Sequence, residues 1–248
     1  MIYDALIIGG GPAGTTSSIL LARAGWKVVL LEKVRFPRAK VCGEFISAGT
    51  LPLLDLLGIG ESFRRAAGTP AREVGVFAGR HQITAPMPAE PTASFGKAIS
   101  RELLDSLLME SARRSGVTIL QPCTAKSLRR ENWLYTCEAI CDDRDQTLQS
   151  PIVIAAHGSW ETGSLPTQAA RHSTHDSGML AFKARFSEGK LRPGLMSLLA
   201  FPDGYGGLVH TDGDETSLSC CITRSRLLKL RAIQPGVRAG ETVLAHIL

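Results

Sequence analysis

The chain has 248 residues, 44% of them hydrophobic and 21% charged, with a formal net charge of +5 and an isoelectric point of about 9.0. That length allows one large domain or two small ones, and the composition is globular rather than disordered or fibrous. The basic residues are scattered and no basic run interleaves with aromatics, so nucleic acid is not an expected partner. No stretch reaches the ~18 apolar residues of a membrane span, and no basic leader precedes the first apolar run; a cytoplasmic location is expected.

Residues 2–8 read as a strand, followed by Gly9-Gly10-Gly11-Pro12-Ala13-Gly14, a run of small residues, and a second strand, Val28–Leu31, that ends at Glu32. Gly9, Gly11 and Gly14 fit G-x-G-x-x-G in the strand–turn–helix context that the pattern requires. The first glycine permits the tight turn, the second lets backbone approach a pyrophosphate, and the third lets the helix pack close to the strand. Pro12 sits where a helix tolerates proline, and the free N–H groups around Ala13 face any phosphate at that helix end. Glu32 is placed to accept hydrogen bonds from ribose hydroxyls and to repel a 2′-phosphate.

The next stretch packs Lys33, Arg35, Arg38 and Lys40 into an irregular loop that ends in Cys42-Gly43-Glu44. Basic side chains leaving the second strand of such a unit lie near the dinucleotide and can neutralise phosphate; a solvated basic loop is the alternative. Residues 48–58 read as helix, and 73–77 with 81–85 as a hairpin around Gly79-Arg80. Ser100 is expected to cap a helix over 101–115. Residues 117–120 read as a strand that returns to the first sheet. A small antiparallel excursion follows over 127–140, then a turn at 142–146. Residues 151–156 read as a buried strand, with His157-Gly158 at its C-terminal end, where ligands sit in open α/β sheets. From 179 the pattern becomes one antiparallel sheet (179–186, 195–201, 206–210, 216–223), and 227–231 and 239–248 read as helices.

The six cysteines show no zinc spacing and are expected to be reduced; in the strand containing Cys220-Cys221 one thiol is expected in the core. His172 and His175 are read as surface histidines, and no metal site is expected.

Taken together, Gly9–Gly14 with Glu32, Phe36-Pro37-Arg38 leading to Lys40-Val41-Cys42-Gly43-Glu44, Ile99-Ser100-Arg101 heading a long helix, and Phe201–Gly207 resemble the FAD-dependent monooxygenase superfamily, in particular its geranylgeranyl reductase-like branch. The resemblance implies an α/β fold: a Rossmann-like FAD-binding domain with an inserted antiparallel β-sheet substrate domain. It implies FAD-binding parts at 1–71 and 97–160, a hairpin excursion at 72–96, the substrate-domain sheet at 161–225, and a helical segment at 226–248.

By the same resemblance, Gly9, Gly11, Pro12, Ala13 and Gly14 cradle the FAD pyrophosphate and Glu32 binds the adenosine ribose. Lys33, Arg38 and Arg101 line the cofactor, Ala125 lies near the adenine, and Cys42-Gly43 lies beside the isoalloxazine. Cys42 is the candidate to touch the reacting region. The implied activity is monooxygenation or alkene reduction of an apolar small molecule, with NAD(P)H as a possible electron donor. Two departures stand out. His157-Gly158 replaces the family's Asp-Gly, and no Gly-Asp motif follows Thr223. The second departure keeps open a truncated, catalytically inactive FAD- or adenosine-binding fragment. A plain NAD-dependent dehydrogenase fits less well, because the second half is rich in strands.

Overall fold

The computed structural model describes residues 2–88, 94–158, 161–168 and 178–247. His172 and His175 lie outside the described residues. In chain order the elements begin β1 (Ala5–Ile8), α1 (Pro12–Arg23), β2 (Val28–Leu31), β3 (Phe45–Ile46), α2 (Leu51–Leu56), α3 (Gly60–Ala66), β4 (Glu73–Ala78), β5 (His81–Pro86), β6 (Lys97–Ala98) and α4 (Arg101–Arg114). They continue with β7 (Thr118–Leu120), β8 (Cys123–Glu131), β9 (Leu134–Cys141), β10 (Arg144–Ser150), β11 (Ile152–Ala155), β12 (Met179–Phe186), β13 (Leu195–Phe201), β14 (Gly204–His210), β15 (Thr216–Thr223), α5 (Arg224–Ile233) and α6 (Ala239–Ile247). The chain divides into two units, each drawn from three segments: Met1–Ala39, Leu54–Glu61 and Glu102–His172 form one, and Lys40–Leu53, Ser62–Arg101 and Ser173–Leu248 the other.

The first unit holds a four-stranded sheet ordered β11-β1-β2-β7, parallel throughout. Every residue of β1 and β2 is buried, as the wholly apolar runs require of central parallel strands. Helix α1 packs on β1 and β2. Leu6, Ile8, Val29 and Leu31 join Leu128, Cys137, Ala139 and Leu148 in one apolar cluster, so the three-stranded sheet β10-β9-β8 packs against the parallel sheet.

Three expectations change in this unit. Strand β11 is not buried throughout: Ile152 is 41% exposed, because β11 stands at the sheet edge with β1 as its one neighbour among the described strands. The turn expected over 142–146 is confined to Asp142 and Asp143, both at positive φ, and Arg144 already pairs with Cys141 in a third strand. The six cysteines are not all free: Cys123 and Cys141 stand directly opposite one another on β8 and β9 and are joined by a disulfide.

The second unit is built on a six-stranded sheet ordered β12-β15-β14-β13-β4-β5. It is antiparallel except where β13 meets β4, which run parallel; the 73–86 hairpin adds to the sheet at that join. Cys220 and Ile222 pack with Leu227 of α5 and Val243 of α6 on one face. Cys220 is buried and Cys221 partly exposed, as the alternation of a strand demands. The opposite face carries a row that the register runs through all six strands: Ile83, Val76, Leu198, Gly207, Ser219 and Lys183.

Candidate functional site

The glycine turn of the first unit lies between β1 and α1. Gly9 has φ +111°, and a Cβ there would fall 2.3 Å from the Ala156 carbonyl oxygen; one on Gly14 would fall 1.9 Å from the Gly9 carbonyl oxygen. Neither position tolerates a side chain, so the turn brings backbone where a larger residue would stand off. Pro12 opens α1, and Gly11 precedes it with no side-chain cap. Ala13 is exposed on that first turn.

Glu32 is 4% exposed, and its carboxylate is engaged on both oxygens. Oε2 accepts from the Gly10 N–H at 2.8 Å, and Oε1 from the Val34 N–H at 2.9 Å. Each oxygen offers a second lone pair, so both can still accept from a diol. Arg38 joins this group. Its Nη2 lies 3.8 Å from Glu32 Oε2 and 3.3 Å from Asp105 Oδ2, and its guanidinium sits 4.9 Å from the centre of the Phe36 ring. Arg38 Nε and Nη1 are buried with no hydrogen-bond partner among the described residues.

The structure therefore gathers Gly9, Gly10, Glu32 and Arg38, and adds Asp105 of α4. Lys33 turns elsewhere, into an ion pair with Glu161. Ala125 lies on β8 opposite Ala139, just before a bulge in that ladder, and packs against the apolar cluster of the unit. His157 is partly buried, and neither ring nitrogen has a partner among the described residues.

In the second unit, Cys42 and Gly43 are held by the residue that follows them. Glu44 has φ +60°. Its N–H donates to Cys42 Sγ at 3.5 Å, and its carbonyl accepts from the Ile99 N–H at 3.1 Å. Its side chain is 0% exposed: Oε1 accepts from the Arg101 N–H at 3.0 Å, forms a buried ion pair with Lys183, and lies 3.6 Å from Arg185 Nη2. The Ser219 hydroxyl donates to the Cys42 carbonyl, tying the loop to β15. The start of α4 is thus secured by Glu44. The Ser100 hydroxyl, expected to cap the helix, donates to Asp212 Oδ2 at 2.9 Å. Burial pushes the Asp212 carboxyl up, but donation from the Ser100 N–H and from the Thr211 and Ser100 hydroxyls outweighs it and holds the group below its usual value.

Glu44 is visible in the sequence as the end of Cys42-Gly43-Glu44, though without its partners; Asp105, Lys183, Arg185 and Asp212 escape that reading. Of the latter, only Asp105 leaves a trace there, as an acid inside the apolar stripe of a helix.

The sequence model of the family described as FAD binding domain matches residues 2–210. The chain belongs to that family. A menaquinone reductase of Mycobacterium tuberculosis is 28% identical over 129 residues, which is 52% of this chain and 31% of that protein. A myxobacterial chondrochloren halogenase, described as FAD-dependent, superposes with a TM-score of 0.80 at 21% identity over 99% of this chain and 57% of its own. A geranylgeranyl bacteriochlorophyll reductase-like protein of Thermoplasma acidophilum gives 0.74 at 18% identity, over 95% and 62%. The chain thus spans about a third of that curated relative and under two thirds of those solved structures. The residues around the glycine turn fit the cofactor of the family. The turn excludes any Cβ at Gly9 and Gly14, Glu32 retains lone pairs for hydroxyls, and Arg38 holds two unpartnered donors.

Proposed function

We propose that this chain is a flavin-dependent oxidoreductase acting on an apolar small molecule, by monooxygenation or alkene reduction. The observation that carries the reading is the Gly10–Glu32–Arg38 arrangement beside a glycine turn that admits no side chain. Gly9, Gly11, Pro12, Ala13 and Gly14 would hold the pyrophosphate of FAD, Glu32 its ribose, and Arg38 a neighbouring acceptor. Lys33, Arg101 and Ala125 complete the proposed cofactor set, with Cys42 and Gly43 towards the reacting ring. FAD, when bound, supplies the hydride or oxygen transfer; the residues bind it, orient it and exclude water. NAD(P)H is the proposed electron donor.

The apolar substrate is supported by the open face of the six-stranded sheet. Ile83, Val76 and Leu198 are 75%, 46% and 43% exposed in the row that ends at Ser219 and Lys183, the two side chains that tie down the Cys42–Glu44 loop. Scattered exposed apolar residues are ordinary, whereas a contiguous row marks a surface with a partner. A menaquinone reductase among the relatives agrees with that substrate class.

The test is the visible spectrum of the purified chain after incubation with FAD and gel filtration. Retained flavin bands and bleaching by NAD(P)H are the expected result. A colourless protein would overturn the enzyme reading and leave the adenosine-binding alternative.

A further inference from the structure

Helix α4 buries an acid that the cofactor reading does not use. Asp105 lies between Leu104 and Leu108, and its side chain is 0% exposed. Aspartate is a poor residue for a helix interior, and a buried carboxylate without compensation is costly. It meets the Arg38 guanidinium at 3.3 Å, closer than Glu32 does at 3.8 Å. Glu32 is meanwhile committed to the Gly10 and Val34 N–H groups. The Phe36 ring fixes the guanidinium from a further side. Arg38 is therefore held in one place while two of its nitrogens stay buried without an acceptor. Leaving a buried charged donor unpaired is costly, so the fold maintains these two donors against a penalty.

We infer that Asp105 is a positioning residue for the cofactor site: it anchors Arg38 so that Nε and Nη1 serve a phosphate or hydroxyl acceptor of the bound dinucleotide. It also keeps Arg38 from closing onto Glu32, which would draw that carboxylate off the Gly10 N–H. The inference rests on the proposed function, because it requires the first unit to bind FAD.

The experiment is a set of FAD titrations, followed by flavin fluorescence, on the wild-type chain, D105N, R38A and D105N/R38A, with melting curves of each. Loss of the buried Arg38–Asp105 ion pair predicts that D105N weakens FAD about tenfold. In the R38A background the same substitution is expected to change the affinity less than twofold, because nothing remains to be positioned. D105E, which keeps the charge at a longer reach, recovers part of the loss, and it replaces D105N in the cycle if D105N does not fold. An unchanged affinity in D105N, or an equal loss with and without Arg38, would overturn the positioning role while leaving the FAD reading intact. A wild-type chain that binds no FAD overturns both.

Discussion

The two large sheets bury themselves differently. In the parallel sheet of the first unit, β1 and β2 are buried at all positions, with α1 on one side and the β8–β10 sheet contributing to the packing. In the six-stranded sheet, β5 is exposed at every position, the face under α5 and α6 is closed by the cluster of Cys220, Ile222, Leu227 and Val243, and the opposite face is covered at Ser219 and Lys183 by the Cys42–Glu44 loop. In the first unit the residues that permit the packing, Gly9 and Gly14, are also those that make the site. In the second, the proposed chemistry rests on pairs far apart in the chain: Glu44 caps Arg101 from 57 residues away and pairs with Lys183 across 139.

The sharpest way to break that contrast is Lys183→Met. The Lys183 and Glu44 side chains are 10% and 0% exposed, and removing one partner of a buried pair costs about 3–5 kcal/mol. Urea unfolding is expected to show a loss towards the low end of that range, because Arg185 still faces Glu44 at 3.6 Å, and the Glu44→Gln/Lys183→Met double variant is expected to regain part of it, because the buried carboxylate is then neutral. A loss below about 1 kcal/mol for Lys183→Met would mean that solvent reaches the pair. Next comes Gly14→Ala, whose new methyl must displace the Gly9 carbonyl from 1.9 Å. A cost of about 1–3 kcal/mol, as for other overpacked sites, should accompany loss of FAD binding; a stable variant that still binds FAD would show that the turn is not a tight cradle.

A smaller effect separates the units by pH. The Asp212 carboxyl is held below its usual value by Ser100 and Thr211 donors that overcome its burial. A depressed carboxylate contributes stability above the unfolded pKa and loses it as pH falls through the folded one. The second unit should therefore weaken below about pH 4, and Asp212→Asn should flatten the acid limb of its unfolding curve. An unaltered acid limb would remove Asp212 as its source. Thiol chemistry separates buried from exposed cysteines instead. Burial pushes Cys137, beside Glu138, and Cys220, beside Cys221, up to about 11, while Cys42 and Cys221 are partly exposed. Iodoacetamide at pH 8 with peptide mapping should label Cys42 and Cys221 and spare the other two.

How far the sequence reveals the structure follows the range of the forces. The glycine turn, α1, β2 and the acid at Glu32 are set by neighbours within some thirty residues, so periodicity and turn chemistry disclose them. The hairpin at 73–86 is equally local, but its parallel join to β13 is not, because register across such a distance leaves no trace in either strand alone. Strand β11 reads as buried because Ile-Val-Ile is apolar; only the finished sheet places it at an edge. The left-handed backbone of Glu44 is a further surprise, since a glutamate gives no sign of φ +60° and the side-chain pairs that hold it there lie far along the chain.

The smallest predicted change tests the open face itself. Ile83 is 75% exposed on β5, so Ile83→Lys should alter stability by no more than about 0.5 kcal/mol. A charge at that place nevertheless interrupts the apolar row through Val76 and Leu198. If the substrate lies along the row, the variant should bind an apolar quinone such as menadione severalfold more weakly than the wild-type chain, with an unchanged melting temperature and unchanged FAD affinity. Equal menadione binding in both proteins would detach the row from the substrate. The exposed apolar side chains would then be an ordinary feature of an edge hairpin, and Lys183 and Ser219 would matter for holding the Cys42 loop alone.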